Sequence, residues 1–203
     1  MNIGILASHT GTTAEAVMEA CRDGHIHGRV CVVISNNRDA QVLDRARLHR
    51  CPTRYLSRTT HPVDEELDAA IAQALLDHGT DLVLLAGYMR KVGPITLSAF
   101  DGRVLNTHPA LLPLHGGQGM YGRAVHQAVV DAGDAVTGAT VHVVNERYDE
   151  GAIVACREVP VEPGDDVDAV EAKVRVVERS LLVDTLGRLS RGELKLPGGW
   201  TFS

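Results

Sequence analysis

In Arg29-Val-Cys-Val-Val-Ile-Ser35, five apolar, mostly β-branched residues stand between a single polar residue at each end. A strand of that kind is buried on both faces, which is the signature of a parallel sheet covered by helices. The flanking segments repeat the theme. Asn2 to Ala7 is an apolar run followed by small polar residues and a helical stretch, Thr13 to Arg22. Ala40 to His49 reads as a helix and Thr53 to Ser57 as a short strand. Pro62 to His78 reads as a long helix, acidic in its first turn as the helix dipole favours, and Gly79 ends it. Asp81-Leu-Val-Leu-Leu-Ala86 is a second doubly buried strand, and Val104 to Asn106 a third, shorter one.

This alternation predicts an α/β fold: a mostly parallel twisted sheet with helices on both faces. The later part changes character. Tyr121 to Ala132 has a helical pattern, and Gly138 to Asn145 and Ile153 to Val161 read as an antiparallel pair. Asp166 to Ser190 reads as one long helix whose Val167, Val170, Val174, Val177 and Leu181 line a single face. No linker interrupts the chain, so residues 1–203 are expected to form a single domain. In a parallel sheet ligands bind beyond the carboxyl ends of the strands. Function is therefore expected at Ser8 to Thr13, Ser35 to Asn37, Gly87 to Arg90 and Asn106 to Pro113.

Composition narrows the classes of function. The chain has 203 residues, and its 20 basic against 26 acidic side chains give a net charge of -6, unsuited to gripping phosphate backbones. Two Phe, four Tyr and one Trp are too few for a base-stacking single-strand binder. No apolar run approaches the roughly 20 residues of a membrane span. The N-terminus lacks a basic region followed by a long apolar stretch, so a cytoplasmic protein without a signal peptide is expected. Cys21, Cys31, Cys51 and Cys156 form no CxxC and read as free, buried thiols. Arg45, Arg47 and Arg50 read as a solvated helix face.

Three constellations can carry chemistry. Ser8-His9-Thr10-Gly11-Thr12-Thr13 is a loop of small residues entering a helix, and its backbone N–H groups suit an anion. It equally suits an ordinary helix cap by Thr12 or Thr13. It is neither a dinucleotide fingerprint nor a Walker loop, for want of the further glycines or a Gly-Lys pair. Asn106 and His108 sit two apart on an extended segment and so point the same way. An amide donor beside an imidazole is what acyl-type transfer needs, although a histidine at a strand end also has structural uses. Tyr148-Asp149-Glu150-Gly151 lies between the late strands. Asp149 there either orients His108 or simply serves a tight turn. No other histidine has a comparable setting; His25 and His27 lack a metal-binding partner nearby.

Taken together, these segments resemble the formyltransferases that use 10-formyltetrahydrofolate, over nearly the whole chain. Arg103-Val-Leu-Asn106-Thr-His108-Pro-Ala-Leu-Leu-Pro113 is similar to that family's catalytic signature. Leu85-Ala-Gly-Tyr-Met-Arg90 resembles its folate-pocket strand. Gly138-Ala-Thr-Val-His142-Val-Val-Asn-Glu-Arg-Tyr-Asp149-Glu-Gly151 resembles the segment bearing its catalytic aspartate. The resemblance implies a Rossmann-like formyltransferase domain, with the phosphate side in its N-terminal half and the folate side in its C-terminal half. It implies direct formyl transfer to glycinamide ribonucleotide in purine biosynthesis, with no metal. Asn106 would bind the formyl oxygen, His108 would stabilise the oxyanion, and Asp149 would hold His108 and a relay water. Gly11, Thr12 and Thr13 would take the phosphate, with Gly87 and Pro109 beside the acceptor and Glu178 on its ribose hydroxyls. Leu85, Met89, Arg90, Val92 and Val144 would receive the folate.

Two departures bear on the acceptor. The family's loop usually reads Ser-Gly-x-Gly-Ser/Thr-Asn, whereas here His9 and Thr13 replace the first Gly and the Asn. Leu114 to Tyr121 resembles a longer, Gly-Met-Tyr-Gly variant and is expected to be a mobile flap. The alternatives are formyl transfer to another amine, such as a sugar nucleotide or a secondary-metabolite precursor, and hydrolysis of 10-formyltetrahydrofolate. A nucleotide-binding module without catalysis is the reading from another class. The expected partners are small molecules, not nucleic acid or membrane, for a monomer or homodimer.

Overall fold

The computed structural model describes residues 1–202. Strands β1 (Asn2–Ala7), β2 (Arg29–Ser35), β3 (Thr53–Tyr55), β4 (Leu82–Leu85) and β5 (Val104–His108) are joined by helices. These are α1 (Thr12–Arg22), α2 (Gln41–Leu48), α3 (Asp64–Asp77) and α4 (Pro94–Ala99). After β5 come α5 (Arg123–Ala132), β6 (Val136–Val143), β7 (Ile153–Pro160) and α6 (Val167–Ser190). The strands form one sheet in the order β3-β2-β1-β4-β5-β6-β7. The first five run parallel, and β6 and β7 are antiparallel to their neighbours. This is the expected fold class. The order reverses beside β1, where the connections to β2 and β4 leave in opposite directions and open a crevice at the carboxyl ends.

Side-chain alternation divides the apolar residues into two layers. Ile3, Ile5, Leu84, Leu105 and Val141 face α1, α2 and the last turns of α6, where Leu182 and Leu186 are fully buried. Leu6, Val32, Ile34, Val83 and Val104 face α3 and Phe100 on the opposite side. Each fully buried Leu or Ile contributes roughly 1.5–3 kcal/mol of transfer free energy. The C-terminal segment returns to this body: Leu196 and Phe202 are buried, and Trp200 lies over the Arg103 guanidinium at 4.7 Å. Phe100 flanks the same guanidinium at 5.1 Å.

Several boundaries differ from the sequence expectation. The strand expected at Val104 to Asn106 continues to His108 because β6 pairs with it that far, His108 opposite Thr140. Helix α4 was not expected. Its N-terminus is capped from a distance by Asp68 on α3, which accepts from the Ile95 N–H (2.7 Å) and the Thr96 N–H (3.2 Å). The Thr96 hydroxyl donates to the same carboxylate at 2.6 Å. Gly93 permits this contact, since a Cβ there would stand 2.2 Å from the Asp68 carboxyl. Cys156 on β7 is exposed and Cys21 and Cys51 half-buried; of the four free thiols only Cys31 is buried as expected. No described helix is long and apolar enough to cross a membrane.

Asp68 thus fixes α4 and the end of the loop from Gly87 to Val92. Asp68→Ala is expected to lower folding stability by about 2 kcal/mol, the cost of a lost cap and of N–H groups left buried. Urea unfolding checks this: the midpoint should fall with the slope preserved.

Candidate active site

A cleft of about 710 Å³ lies at the carboxyl ends of β1, β4 and β5. Its floor begins at Ser8. The Ser8 hydroxyl donates to Asn36 Oδ1 (2.5 Å) and accepts from the Met89 N–H (2.8 Å), and the Ser8 N–H donates to the Gly87 carbonyl (3.1 Å). One residue thereby ties together three strand-end loops.

Gly11 is the N-cap of α1, at φ 74°, with no side-chain cap. The capping role considered for Thr12 or Thr13 is therefore not found: both lie inside the helix, and its first N–H groups remain for a ligand. Gly11 is required by space as well as by φ, because a Cβ would meet Val42 at 2.3 Å. Arg45 braces this loop, donating to the Thr10 carbonyl at 2.9 Å and pairing with Glu15. It is thus a buttress of the loop rather than part of a solvated face. Arg47 pairs with Asp44 on the exposed surface, as expected for such a face.

On β5 the alternation places Asn106 and His108 on the same side as Val104. The register with β6 sets His142 opposite Asn106. His142 was missed by sequence reasoning; strand alternation with Thr140 was the available signal. The Asn106 amide and His142 Nε2 are 3.2 Å apart, and His142 Nδ1 is 3.2 Å from the Val143 carbonyl. The carbonyl can only accept, so Nδ1 carries the proton and Nε2 accepts from Asn106. Burial holds the His142 imidazole below its usual range, against the opposing pull of Asp149.

Asp149 closes the group from the β6–β7 turn. Its Oδ2 is 3.6 Å from His108 Nδ1 and its Oδ1 is 3.5 Å from His142 Nε2. Asp149 sits at φ 58°, a left-handed conformation that Asp tolerates better than most residues. His108 is buried, and its Nε2 donates to the His115 carbonyl at 2.8 Å.

The expected flap is folded down at three points. Besides the His108 bond, His115 Nε2 meets Asp134 at 2.6 Å and the Gly117 N–H donates to Asp149 Oδ2 at 3.0 Å.

Every site residue expected from the sequence lines this one cleft. Gly11, Thr12, Thr13, Gly87, Pro109 and Glu178 stand around Asn106, His108 and Asp149, as do Leu85, Met89, Arg90, Val92 and Val144. The residues expected to receive folate come from both halves of the chain. Lys91 lies 5.7 Å from the Tyr148 ring, joining the two loops that carry those residues. His126 also lines the cleft, and sequence reasoning passed it over. It is buried and its Nδ1 has no hydrogen-bond partner among the described residues. Burial lowers its basicity too. Among the described residues, no three His, Cys, Asp or Glu side chains form a metal-holding group.

The formyl transferase family matches residues 1–186. The chain belongs to that family. It is 38% identical over 194 residues to the phosphoribosylglycinamide formyltransferase of Haemophilus influenzae, covering 96% of this chain and 89% of that one. It is 39% identical over 189 residues to the enzyme of the same name from Mycobacterium tuberculosis, covering 92% and 83%. Among solved structures, glycinamide ribonucleotide transformylase 1 of Symbiobacterium toebii superposes with a TM-score of 0.90 at 36% identity. That match covers 100% of this chain and 94% of the other. As a family member, this chain is a formyltransferase built on the family's sheet.

His126 and His142 imply a pH dependence of folding. Both native imidazoles ionise below the ordinary value of 6.5, so the unfolded chain binds protons more readily. Their contribution to stability is complete above pH 6.5 and is lost as pH falls toward and through the lowered native values. Denaturant titrations between pH 7.5 and 5 should show falling stability, with a shallower slope in His126→Gln. An identical slope in the variant would contradict this origin.

Proposed function

We propose that this chain transfers the formyl group of 10-formyltetrahydrofolate to the amine of glycinamide ribonucleotide, in purine biosynthesis. The observation that carries the reading is the convergence of Asn106, His108 and Asp149 on one wall of the cleft, in a chain whose relatives carry that enzyme's name. The cleft suits two ligands. Leu85, Val92 and Val144 offer an aliphatic wall, with Arg90 exposed at its end for a carboxylate. The uncapped N-terminus of α1 at Gly11, Thr12 and Thr13 suits a phosphate. Gly87 and Pro109 line the same space.

The chemistry is nucleophilic attack of the acceptor amine on the formyl carbon. A new C–N bond forms, a tetrahedral oxyanion develops, and the bond to N10 of the folate then breaks. The proton lost by the attacking amine is matched by one gained at N10. Asn106 gives one amide N–H to His142, leaving the other to meet the oxygen as its charge develops. His142, held neutral, keeps the Asn106 amide from turning. His108 supplies the second polar group to the oxyanion through the Nε2–H that here donates to the His115 carbonyl and would exchange that partner for the oxygen, and Asp149 orients its imidazole and any water that relays the proton. Preorganisation of this kind acts through position rather than through a covalent intermediate. The reading describes a cytoplasmic enzyme of small-molecule substrates, acting as a monomer or homodimer without a metal.

Release of tetrahydrofolate from 10-formyltetrahydrofolate should depend on added glycinamide ribonucleotide. His108→Ala and Asn106→Ala should each lower kcat by roughly 100-fold or more, with folding retained. Release without the acceptor would instead indicate a hydrolase. Preference for an amine lacking the 5′-phosphate would point to a different acceptor, as the exposed His9 in the loop allows.

A further inference from the structure

The alternation that aims Asn106 and His108 to one side of β5 aims Thr107 to the other, the side of Leu105 and α6. Leu105 is buried there in the apolar layer. Thr107, two residues on, stands where that layer ends at the cleft. Its hydroxyl donates to Glu178 Oε1 on α6 at 2.5 Å. Oε2 of the same carboxylate accepts no hydrogen bond among the described residues, and both residues line the cleft.

We propose that Thr107 is a positioning residue for the acceptor: it fixes one oxygen of Glu178 so that the other is presented to a pair of adjacent sugar hydroxyls. This rests on the reading of function above, together with the ribose-binding role that the family resemblance implies for Glu178, which lines the same cleft. Burial lifts the Glu178 carboxyl above the usual carboxylate range, while the Thr107 hydrogen bond, and then His108, Arg175 and Arg179, act against it. A protonated carboxyl would offer one acceptor oxygen fewer to the sugar. Thr107 therefore does two things that a valine of the same shape could not: it sets the carboxylate's rotamer and favours its charged form. The contact also has a mechanical meaning. Thr107 lies between Asn106 and His108 on one rigid strand, so the sugar-binding carboxylate is referenced to the same backbone as the transfer groups.

Steady-state kinetics of Thr107→Val and Thr107→Ser with 10-formyltetrahydrofolate and glycinamide ribonucleotide test this. Thr107→Val is expected to raise the acceptor KM about tenfold, the loss of one hydrogen bond to a charged group, with smaller effects on kcat and on the folate KM. Thr107→Ser should restore the acceptor KM. In a Glu178→Gln background the valine substitution should add little, because the two residues act as one unit. An acceptor KM in Thr107→Val equal to that of the wild type would overturn the proposal. So would equal losses for both substrates that serine does not rescue, which would mark a structural role. If the wild-type protein turns over no glycinamide ribonucleotide at all, the reading of function fails, and the inference drawn from it fails too.

Discussion

Asn106 lies opposite His142 and His108 opposite Thr140 where β5 meets β6, and this antiparallel register holds the candidate site in place. It falls at the seam where the sheet stops being parallel. β4 fixes one edge of β5, pairing Leu85 with Asn106, and β6 fixes the other. A slip of one residue would exchange the faces of Asn106, Thr107 and His108 together. The Thr140 hydroxyl guards against such a slip. It donates to the Ala110 carbonyl at 2.7 Å and accepts from the Leu112 N–H at 3.1 Å, so the chain leaving β5 is tied to the strand beside it.

The fold accepts costs in holding this arrangement. The His126 imidazole is buried with an Nδ1 that has no hydrogen-bond partner among the described residues, and Asp149 is held in a left-handed conformation. Such features carry of order 1–3 kcal/mol each and persist where the surroundings over-determine them. Here the surroundings are the two apolar layers, which cover β1, β2 and β4 on both faces. The loops at the cleft are held from beneath by Ser8, Arg45 and Asp68, and to one another by the Gly117–Asp149 hydrogen bond and the Lys91–Tyr148 contact.

Most of the architecture was legible in local sequence, because a doubly buried strand advertises itself as an unbroken apolar run. What escaped was set by residues remote in sequence. Pro94 suits the first turn of a helix, but α4 is completed by Asp68, which no reading of the residues around Pro94 would supply. His142 belongs to the site only through its register with Asn106, which periodicity alone does not fix. Arg45 looked like a solvated charge because its partners, Glu15 and the Thr10 carbonyl, lie a helix and a strand away. The residues around Asn106, His108 and Asp149 were legible mainly through resemblance. Their common cleft is a property of the sheet's reversal beside β1, and Gly87 or Glu178 announces nothing by its own neighbours.

The scarcity of aromatic rings has an optical side. The single tryptophan, Trp200, stands on the Arg103 guanidinium in the C-terminal segment and does not line the cleft. Indole emission from this protein therefore reports how that segment is seated against Arg103. Occupancy of the cleft is registered instead by phenol rings, those of Tyr88, Tyr121 and Tyr148, which border it. Excitation selective for tryptophan and excitation shared with tyrosine thus observe opposite parts of the same molecule.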